Sequence, residues 1–407
     1  MHPNLLILFN NSASEKVFGI PLIRRLVLLA QKTGISNIYC IYLPGTEENR
    51  TIIADLIPDD HFMPLTEIIR NGGNIPGSLK DNTDLVYLKG NTVIDKLSLE
   101  RLVSCTLDEP VVLVDPDNRA NSAWILKLPG RLTSRPQLLR QLVTSTVSSN
   151  KIPCSLFEEI SFHYASPGLP FLVTDKPESI EKAENRLINS LGLQTAQTDG
   201  FMAKNFDRHI SRFFSKRLVR TGLHPNWFTV MGMSIGLVGA WLLSLPGYLA
   251  RLLGALLFVF CIMVDGVDGE IARLTLKDST FGHYFDIVTD NIVHAAIFIA
   301  LPVSFYRETG NSTYLKSLWF LLLGVAFAAF SAYYCIFRVE ERHNKKIIII
   351  FDKLASRDFA YLLAILALID RLEWFLWGAT FGSYVFGIVL WVIYLRSSPL
   401  TRDWKEV

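Results

Sequence analysis

Residues 265–290 read DGVDGEIARLTLKDSTFGHYFDIVTD and lie between two apolar segments, Leu252–Val264 and Ile292–Phe305. Acidic residues near both ends of this stretch therefore border sequence that is apolar enough to enter a membrane. An aspartate at the centre of a spanning helix costs about 2.5–3.5 kcal/mol on insertion scales. Acids at such positions indicate a function that requires them.

The spacing of four of these acids predicts a shared site. Asp265 and Asp268 are three residues apart and Asp286 and Asp290 are four apart, so each pair lies on one face of its helix. Two facing helices are expected to present four carboxylates to one point. Such hard oxygen ligands suit Mg²⁺, Mn²⁺ or Ca²⁺ and argue against zinc.

Small and basic residues accompany the acids. Gly269 has no side chain next to Asp268, and Ala272 has only a small one on the same face of the helix. Arg273 carries a planar guanidinium group that can bind phosphate. A pair of solvated carboxylates at helix ends explains one or two of the acids. It explains neither the glycine nor the arginine, so the pattern favours a phosphate-binding metal site.

The complete pattern, Asp-x2-Asp-Gly-x2-Ala-Arg-x8-Gly-x3-Asp-x3-Asp, resembles the signature of the CDP-alcohol phosphotransferases. The positions that match are Asp265, Asp268, Gly269, Ala272, Arg273, Gly282, Asp286 and Asp290. Members of that family are integral membrane enzymes, usually homodimers. The resemblance implies transfer of a phosphoalcohol from a CDP-linked donor to an acceptor hydroxyl with release of CMP, and two divalent cations, Mg²⁺ or Mn²⁺.

The resemblance also implies a role for each motif residue. It makes Asp265, Asp268 and Asp286 metal ligands and makes Asp290 the general base, which can also contact a metal. Gly269, Ala272, Arg273 and Gly282 would line the CDP site.

A second element, Pro225-Asn226-Trp227-Phe228-Thr229, opens the first span. The resemblance puts Asn226 and Thr229 near the nucleotide. Equally, Pro225 can simply begin a helix at its first turn, and the sequence leaves both interpretations open.

Length and composition predict two domains in the 407 residues. The first 200 residues are typical of a soluble protein, and apolar runs dominate from Trp227 onward. The five cysteines have no paired metal spacing and imply no disulfide framework. We predict no cleaved signal peptide, because Leu5–Phe9 is too short an apolar core. The net charge of +2 says little, and we expect no nucleic-acid partner.

Residues 1–197 are predicted to form a cytoplasmic α/β domain with a mostly parallel sheet, because strand-like and helix-like segments alternate. The predicted strands are Leu5–Phe9, Asn37–Leu43, Asp84–Leu88 and Pro110–Val114. The predicted helices are Leu22–Lys32, Ser98–Ser104, Pro136–Ser148 and Glu178–Leu191.

This domain order resembles that of enzymes that carry a sugar-nucleotidyltransferase domain before the phosphotransferase domain, among them those that make inositol phosphodiesters. Three places depart from the nucleotidyltransferase pattern. The expected glycine-rich loop reads Asn10-Asn11-Ser12-Ala13-Ser14-Glu15-Lys16, the expected Gly-Asp reads Gly90-Asn91, and only part of a third motif remains in Thr174-Asp175-Lys176-Pro177-Glu178.

Two interpretations of the N-terminal domain follow. In the first, it has lost nucleotidyl transfer and serves as a scaffold or regulatory module, since the loop glycines that cradle a triphosphate are missing. In the second, it stays active with unusual ligands such as Asp115 and Asp117. An Asp-Pro-Asp-Asn surface turn explains those two acids as well.

Residues 198–222 are predicted to form a juxtamembrane amphipathic helix. Its cations are Lys204, Arg208, Arg212, Lys216, Arg217 and Arg220, and they alternate with Phe201, Phe206, Ile210, Phe213, Phe214 and Leu218. A helix of this composition lies in the membrane interface with its cations toward anionic headgroups. The alternative is a surface helix packed on the soluble domain.

Residues 223–398 are predicted to form a six-span domain, followed by a cytoplasmic tail, 399–407. The spans are expected at 225–245, 248–264, from beyond Gly282 to 302, at 315–337, 359–369 and 374–395. The fifth is short for a hydrocarbon core of about 30 Å.

Basic residues predict the topology. One set of connections holds the 204–220 helix, Arg273, Lys277, the loop 338–357 and the tail, and the other holds only Arg307, Lys316 and Arg371. The positive-inside rule then puts both termini and the aspartates on the cytoplasmic side.

The basic loop supplies candidates for binding an acceptor phosphate. Arg357 is placed where the fifth span begins, and Arg338, Arg342 and Lys345 precede it. A guanidinium can hold a phosphate ester bidentately. The same charges also serve as a topology signal.

The sequence therefore predicts a membrane CDP-alcohol phosphotransferase that acts in phospholipid or inositol-phosphodiester synthesis. One alternative is a glycerol-phosphate-type phospholipid synthase with the same chemistry. Another is a non-enzymatic membrane anchor or transporter, since intramembrane acids occur in transporters too.

Overall fold

The computed structural model of the chain describes residues 3–70, 83–106, 108–115, 123–133, 135–148, 154–157, 159–195, 206–341 and 359–397. The chain divides into two compact units. The first is Met1–Gln194 with Leu274–Leu276, and the second is Thr195–Arg273 with Lys277–Val407.

The first unit contains a seven-stranded sheet in the order β10-β8-β9-β6-β1-β4-β5. The strands that form it are β1 (Asn4–Leu8), β4 (Ile38–Tyr42), β5 (Phe62–Pro64), β6 (Leu85–Lys89), β8 (Val111–Val114), β9 (Trp124–Leu128) and β10 (Ser161–Tyr164). Two small ladders pair β2 (Lys16–Val17) with β3 (Ile20–Pro21) and β7 (Thr92–Val93) with β11 (Phe171–Leu172). The helices are α1 (Leu22–Lys32), α2 (Leu65–Arg70), α3 (Lys96–Ser104), α4 (Gly130–Thr133), α5 (Pro136–Ser148) and α6 (Pro177–Thr195).

The central strands are mostly apolar, with Asn4 at the start of β1 and Lys89 at the end of β6, because both faces of the sheet are covered. All five residues of β1 are buried, and β1 pairs in parallel with β4 and β6. Continuous apolar runs of this kind are typical of parallel strands between two layers of helices. The predicted α/β fold class is confirmed, and the predicted strands and helices are found within a few residues of their expected bounds.

The strand β9 was not predicted, and it interrupts the parallel order. It runs antiparallel to both β6 and β8. Its sequence contains Lys127, which breaks the apolar run. In the structure, the buried Lys127 ammonium donates to Val103 O at 3.0 Å and pairs with Asp84 at 3.2 Å.

The second unit is helical. Its elements are α7 (Arg208–Leu218), α8 (Pro225–Leu243), α9 (Tyr248–Leu274), α10 (Thr280–Thr309), α11 (Thr313–Glu341), α12 (Phe359–Leu368) and α13 (Leu372–Ser397).

Five of these helices, α8 to α11 and α13, are long and apolar enough to cross a membrane, and α12 is a shorter apolar helix of 10 described residues. The chain is therefore an integral membrane protein. The six predicted spans agree with these five helices and α12. One difference concerns α9, whose apolar run ends at Val264 while the helix continues to Leu274.

Glycines allow the helices α8, α9 and α10 to approach closely. A Cβ on Gly254 would lie 2.6 Å from the backbone oxygen of Gly239, and one on Gly236 would lie 2.5 Å from Val293. Large apolar side chains cover the outer faces, among them Trp241, Leu253, Trp319, Leu323, Phe381 and Val385. Small residues at helix contacts and apolar residues outside are what a lipid environment favours.

Candidate active site

Three of the predicted carboxylates meet between α9 and α10. Asp265, Asp286 and Asp290 each place a carboxylate oxygen within 4.8 Å of the other two, and all three are partly buried. Asp286 and Asp290 are one turn apart on α10, as the spacing predicted. The continuation of α9 beyond its apolar run brings Asp265 to them.

Asp268 is not part of this group of three. Its buried carboxylate accepts hydrogen bonds from the Thr229 hydroxyl of α8 and from the Gly269 backbone N–H. Residues three apart differ by about 60° around a helix axis. That rotation is enough for Asp265 to face α10 while Asp268 faces α8.

The three-carboxylate group suits hard cations. Like charges about 4 Å apart interact by about 4 kcal/mol at an effective dielectric constant of about 20, so bringing ionised oxygens this close favours a compensating cation. The donor set is oxygen only, with neither sulfur nor imidazole in the group. It therefore fits Mg²⁺ or Mn²⁺ and does not fit zinc.

A cavity of about 200 Å³ lies next to these acids. Every residue that was predicted to bind CDP lines it: Asn226, Thr229, Gly269, Ala272, Arg273 and Gly282. Asp268 and Asp286 also line it. The cavity therefore joins the acids to the small and basic residues of the motif.

Arg273 and Gly269 form one wall of the cavity. The guanidinium nitrogens of Arg273 lie 3.6 Å from the point that a Cβ on Gly269 would occupy. This is an ordinary contact, so packing within the protein does not require glycine here. The missing side chain instead leaves the backbone open to the cavity, beside a group that can bind phosphate bidentately.

Gly282 lies in the first turn of α10, which Ser279 caps. The Ser279 hydroxyl accepts a hydrogen bond from Gly282 N at 3.0 Å, and a Cβ on Gly282 would lie 3.2 Å from that hydroxyl. The Asn226 Oδ1 atom lies 3.6 Å from the same point. A side chain at position 282 would therefore crowd the Ser279 hydroxyl that caps α10.

Five further residues that the sequence interpretation had not assigned to the CDP site line the cavity: Pro225, Lys277, Asp278, Ser279 and His283. Ser279 could have been found, because a serine directly before a helix is the usual N-cap. Pro225 belongs to the element that contains Asn226 and Thr229, and Lys277, Asp278 and His283 carry no signal in the sequence beyond their closeness to the motif.

The predicted acceptor residues Arg342, Lys345 and Arg357 lie outside the described residues. Arg338 is within α11, and its side chain is also outside the described part.

The segments of the first unit that depart from the nucleotidyltransferase pattern make internal contacts. Asn91 is buried and donates from its amide to Val173 O at 2.6 Å, and the Ser12 hydroxyl donates to Asp175. Asp115 is buried and accepts from Gly168 N at 2.9 Å. Asp117 lies outside the described residues.

Comparison with known proteins identifies the helical region. Residues 222–395 match the sequence profile of the family described as CDP-alcohol phosphatidyltransferase. A curated relative from Aquifex aeolicus, "Bifunctional IPC transferase and DIPP synthase", is 32% identical over 153 residues, which are 38% of this chain and 32% of that protein. A "CDP-diacylglycerol--glycerol-3-phosphate 3-phosphatidyltransferase" from Rickettsia typhi is 36% identical over 77 residues, 19% of this chain and 43% of that protein. The match thus spans about a third of the length of the first of these relatives.

Among solved structures, the inositol-1-phosphate CTP transferase from T. maritima matches with a TM-score of 0.30 and 8% identity, over 46% of this chain and 97% of that one. Similarity at this level does not separate nucleotidyltransferases from other α/β domains. The family match, by contrast, contains every position of the aspartate motif. Residues 222–395 of the chain are a CDP-alcohol phosphatidyltransferase domain.

Proposed function

We propose that the protein is a membrane CDP-alcohol phosphotransferase, which moves a phosphoalcohol from a CDP-linked donor to an acceptor hydroxyl and releases CMP. The observation that carries this proposal is that one cavity is lined by Gly269, Ala272, Arg273 and Gly282 and borders the acids of the motif. Relatives with this domain are named as transferases and synthases.

The chain's own residues can perform distinct parts of this reaction. Arg273 binds the negatively charged pyrophosphate of the donor. Asn226 and Thr229 help to seat the nucleotide, and the Thr229 hydroxyl also orients Asp268. Asp290 accepts the proton of the acceptor hydroxyl. This role is supported by the position of its carboxylate within 4.8 Å of that of Asp286, which lines the cavity.

Asp265, Asp268, Asp286 and Asp290 would hold two divalent cations, Mg²⁺ or Mn²⁺. When bound, such ions neutralise charge on the transferred phosphate and its leaving group. Asp268 lies outside the group of three other acids, so it would hold a second ion that those three do not hold alone.

For the acceptor, we propose an inositol phosphate. The order of the two domains and a basic segment that contains Arg338, Arg342, Lys345 and Arg357 support it, since arginines bind phosphate esters. A glycerol-phosphate-type phospholipid synthase is the second candidate, supported by the Rickettsia typhi relative.

We further propose that the termini and the site face the cytoplasm. We also propose that the protein is a homodimer, because members of the family that the motif resembles are usually homodimers. The excess of basic residues on one set of connections supports the orientation. The juxtamembrane segment, 198–222, exposes Phe206, Phe213 and Phe214, and this supports its insertion into the membrane interface.

We assign residues 1–197 to a scaffold or regulatory domain that no longer transfers nucleotides. The buried amide of Asn91 at the place of an expected carboxylate supports this. The phosphotransferase domain is then 223–398, with 399–407 as a tail.

The experiment is CMP release by the purified full chain with Mg²⁺ or Mn²⁺ and a panel of CDP-linked donors and alcohol acceptors, including inositol phosphate and glycerol 3-phosphate. We expect metal-dependent CMP release with at least one pair. Absence of CMP with every pair would contradict the proposal and favour a transporter or anchor.

A further inference from the structure

Glu270 lies inside the aspartate motif, at a position that the motif leaves open. It is the residue after Gly269, it does not line the cavity, and only 1% of it is exposed. A buried carboxylate is costly unless its charge is compensated by hydrogen bonds and an opposite charge. Glu270 is therefore expected to have hydrogen-bond donors and a cation around its carboxylate.

One face of α7 supplies the partners of this carboxylate. The Ser211 hydroxyl donates to Glu270 Oε1 at 2.8 Å, and the Ser215 hydroxyl donates to Oε2 at 2.8 Å. Arg208 Nη1 lies 3.5 Å from Oε1. Residues 208, 211 and 215 are spaced by three and four, so they share one face of the helix.

The helix α7 is held against α9 at a second point and against α12 at a third. A Cβ on Gly266 would touch Ser211 Cβ at 3.5 Å, so the two backbones run close together. Before α7 begins, Asp207 accepts a hydrogen bond from the Tyr361 hydroxyl of α12. Loss of the Glu270 contacts alone therefore leaves α7 with other attachments.

The charge of Glu270 also reaches the cavity. Arg273 is three residues further along α9 and interacts electrostatically with Glu270, Asp268 and Arg208. The Arg208 and Arg273 guanidinium groups repel each other. Glu270 pairs with Arg208 at 3.5 Å, and it is a neighbour of Arg273 on the surface of α9 because the two residues are three apart. A buried anion at this place compensates two guanidinium groups, of which only Arg273 lines the cavity.

We propose that Glu270 is a positioning residue for the donor site, which holds α7 through Ser211 and Ser215 and uses its charge to hold Arg273 at the cavity wall. This inference rests on the proposed function. It predicts that the negative charge at position 270 contributes to donor affinity, beyond its part in joining the two helices.

The test compares Glu270→Gln with two other variants of the full chain. The glutamine side chain keeps the size of the glutamate and can still form hydrogen bonds, but it lacks the charge. Ser215→Ala removes one contact and keeps the charge. Glu308→Gln is the matched control, because Glu308 also pairs with an arginine, Arg251, in the same domain. Arg251 is 19 residues before Glu270, about 28 Å along α9.

For Glu270→Gln, we expect the KM for the CDP-linked donor to rise by about 10-fold or more, as for other groups that orient ligand-binding side chains. The KM for the acceptor should change much less. Ser215→Ala and Glu308→Gln should lower the thermal midpoint and leave the donor KM close to that of the unchanged protein.

The outcomes separate this inference from the proposed function. If the unchanged protein releases no CMP with any donor, the proposed function fails. If it does release CMP, but the donor KM of Glu270→Gln equals that of Ser215→Ala, the carboxylate only joins helices and the positioning role is overturned. Should Glu270→Gln not fold, the double variant Glu270→Gln/Arg208→Met removes both charges of this pair and is compared with Arg208→Met alone. The donor KM of the double variant should be higher by about 10-fold, and equal donor KM values would overturn the positioning role.

Discussion

The two ends of the helix α9 differ in how their charged side chains are arranged: one end pairs opposite charges, and the other brings like charges together. Near its start, the buried Arg251 pairs with Glu308 and, at 3.5 Å, with Asp370. Near its other end, Asp265 meets two more carboxylates, with oxygens within 4.8 Å of one another. Opposite charges that are paired inside a helical bundle support its structure. Like charges that are gathered beside a cavity favour binding of a cation and indicate function.

The largest effect on activity is expected at the three-carboxylate group of Asp265, Asp286 and Asp290. Asp290→Asn should reduce CMP release by about 10²- to 10⁴-fold, because a general base is lost, while binding of the nucleotide survives. Steady-state CMP release and titration with CDP measure the two properties. Asp370→Asn, at the paired end, is the control and should keep the activity. Turnover within about tenfold of the unchanged protein would make the assignment of the base wrong.

Metal binding at the three-carboxylate group should stabilise the folded protein. At a concentration about 100 times its Kd, a ligand that binds only the folded state adds about 2.7 kcal/mol to the free energy of unfolding. We expect Mg²⁺ or Mn²⁺ to raise the thermal midpoint in detergent and a chelator to reverse this. Asp286→Asn should weaken the response, and Glu308→Gln should keep it. A response that Asp286→Asn leaves unchanged would place the ion elsewhere.

Near Arg251, the backbone of α9 lies close to the backbone of α8. A Cβ on Gly254 would lie 2.6 Å from Gly239 O and 2.7 Å from Leu243 N, both backbone atoms. Gly254→Ala should therefore cost about 1–3 kcal/mol of stability, as overpacking does. The control is Gly378→Ala, whose Cβ would meet nothing within 4 Å. Equal midpoints for the two variants in a thermal unfolding experiment would contradict the packing that the structure describes.

The smallest effect is expected from the charge pair itself. Glu308 is partly exposed, and exposed partners contribute little, so Glu308→Gln should lower the free energy of unfolding by about 1 kcal/mol. The rate of CMP release, measured below the unfolding temperature, should stay close to that of the unchanged protein. A large loss of turnover with an intact midpoint would show that this end takes part in the reaction.

Much of the site could be predicted from the sequence, because a motif with fixed spacing on helices determines which residues share a face. The residues predicted to bind CDP line one cavity, and three of four acids meet. The separate position of Asp268 could not be predicted. It depends on Thr229 of α8, 39 residues earlier, and periodicity along one helix does not tell which neighbour each side chain faces.

The apolar patterns of the sequence predicted most of the strands and helices. The elements that were missed or predicted too short are those in which charged residues interrupt an apolar run. β9 was missed because Lys127 lies within it, although the ammonium has buried carbonyl partners. The second span was expected to end at Val264, but the helix carries the acids onward to Leu274. The partners of Glu270 are 55 and 59 residues away, and local sequence holds no sign of them.

The most direct test of the central claim is the position of Mn²⁺ in the full chain with bound CDP, located by its anomalous scattering. The account predicts Mn²⁺ coordinated by oxygens of Asp265, Asp286 and Asp290, with the pyrophosphate of CDP next to Arg273. Mn²⁺ and CDP bound only in the first unit, among residues such as Asp175, would contradict it.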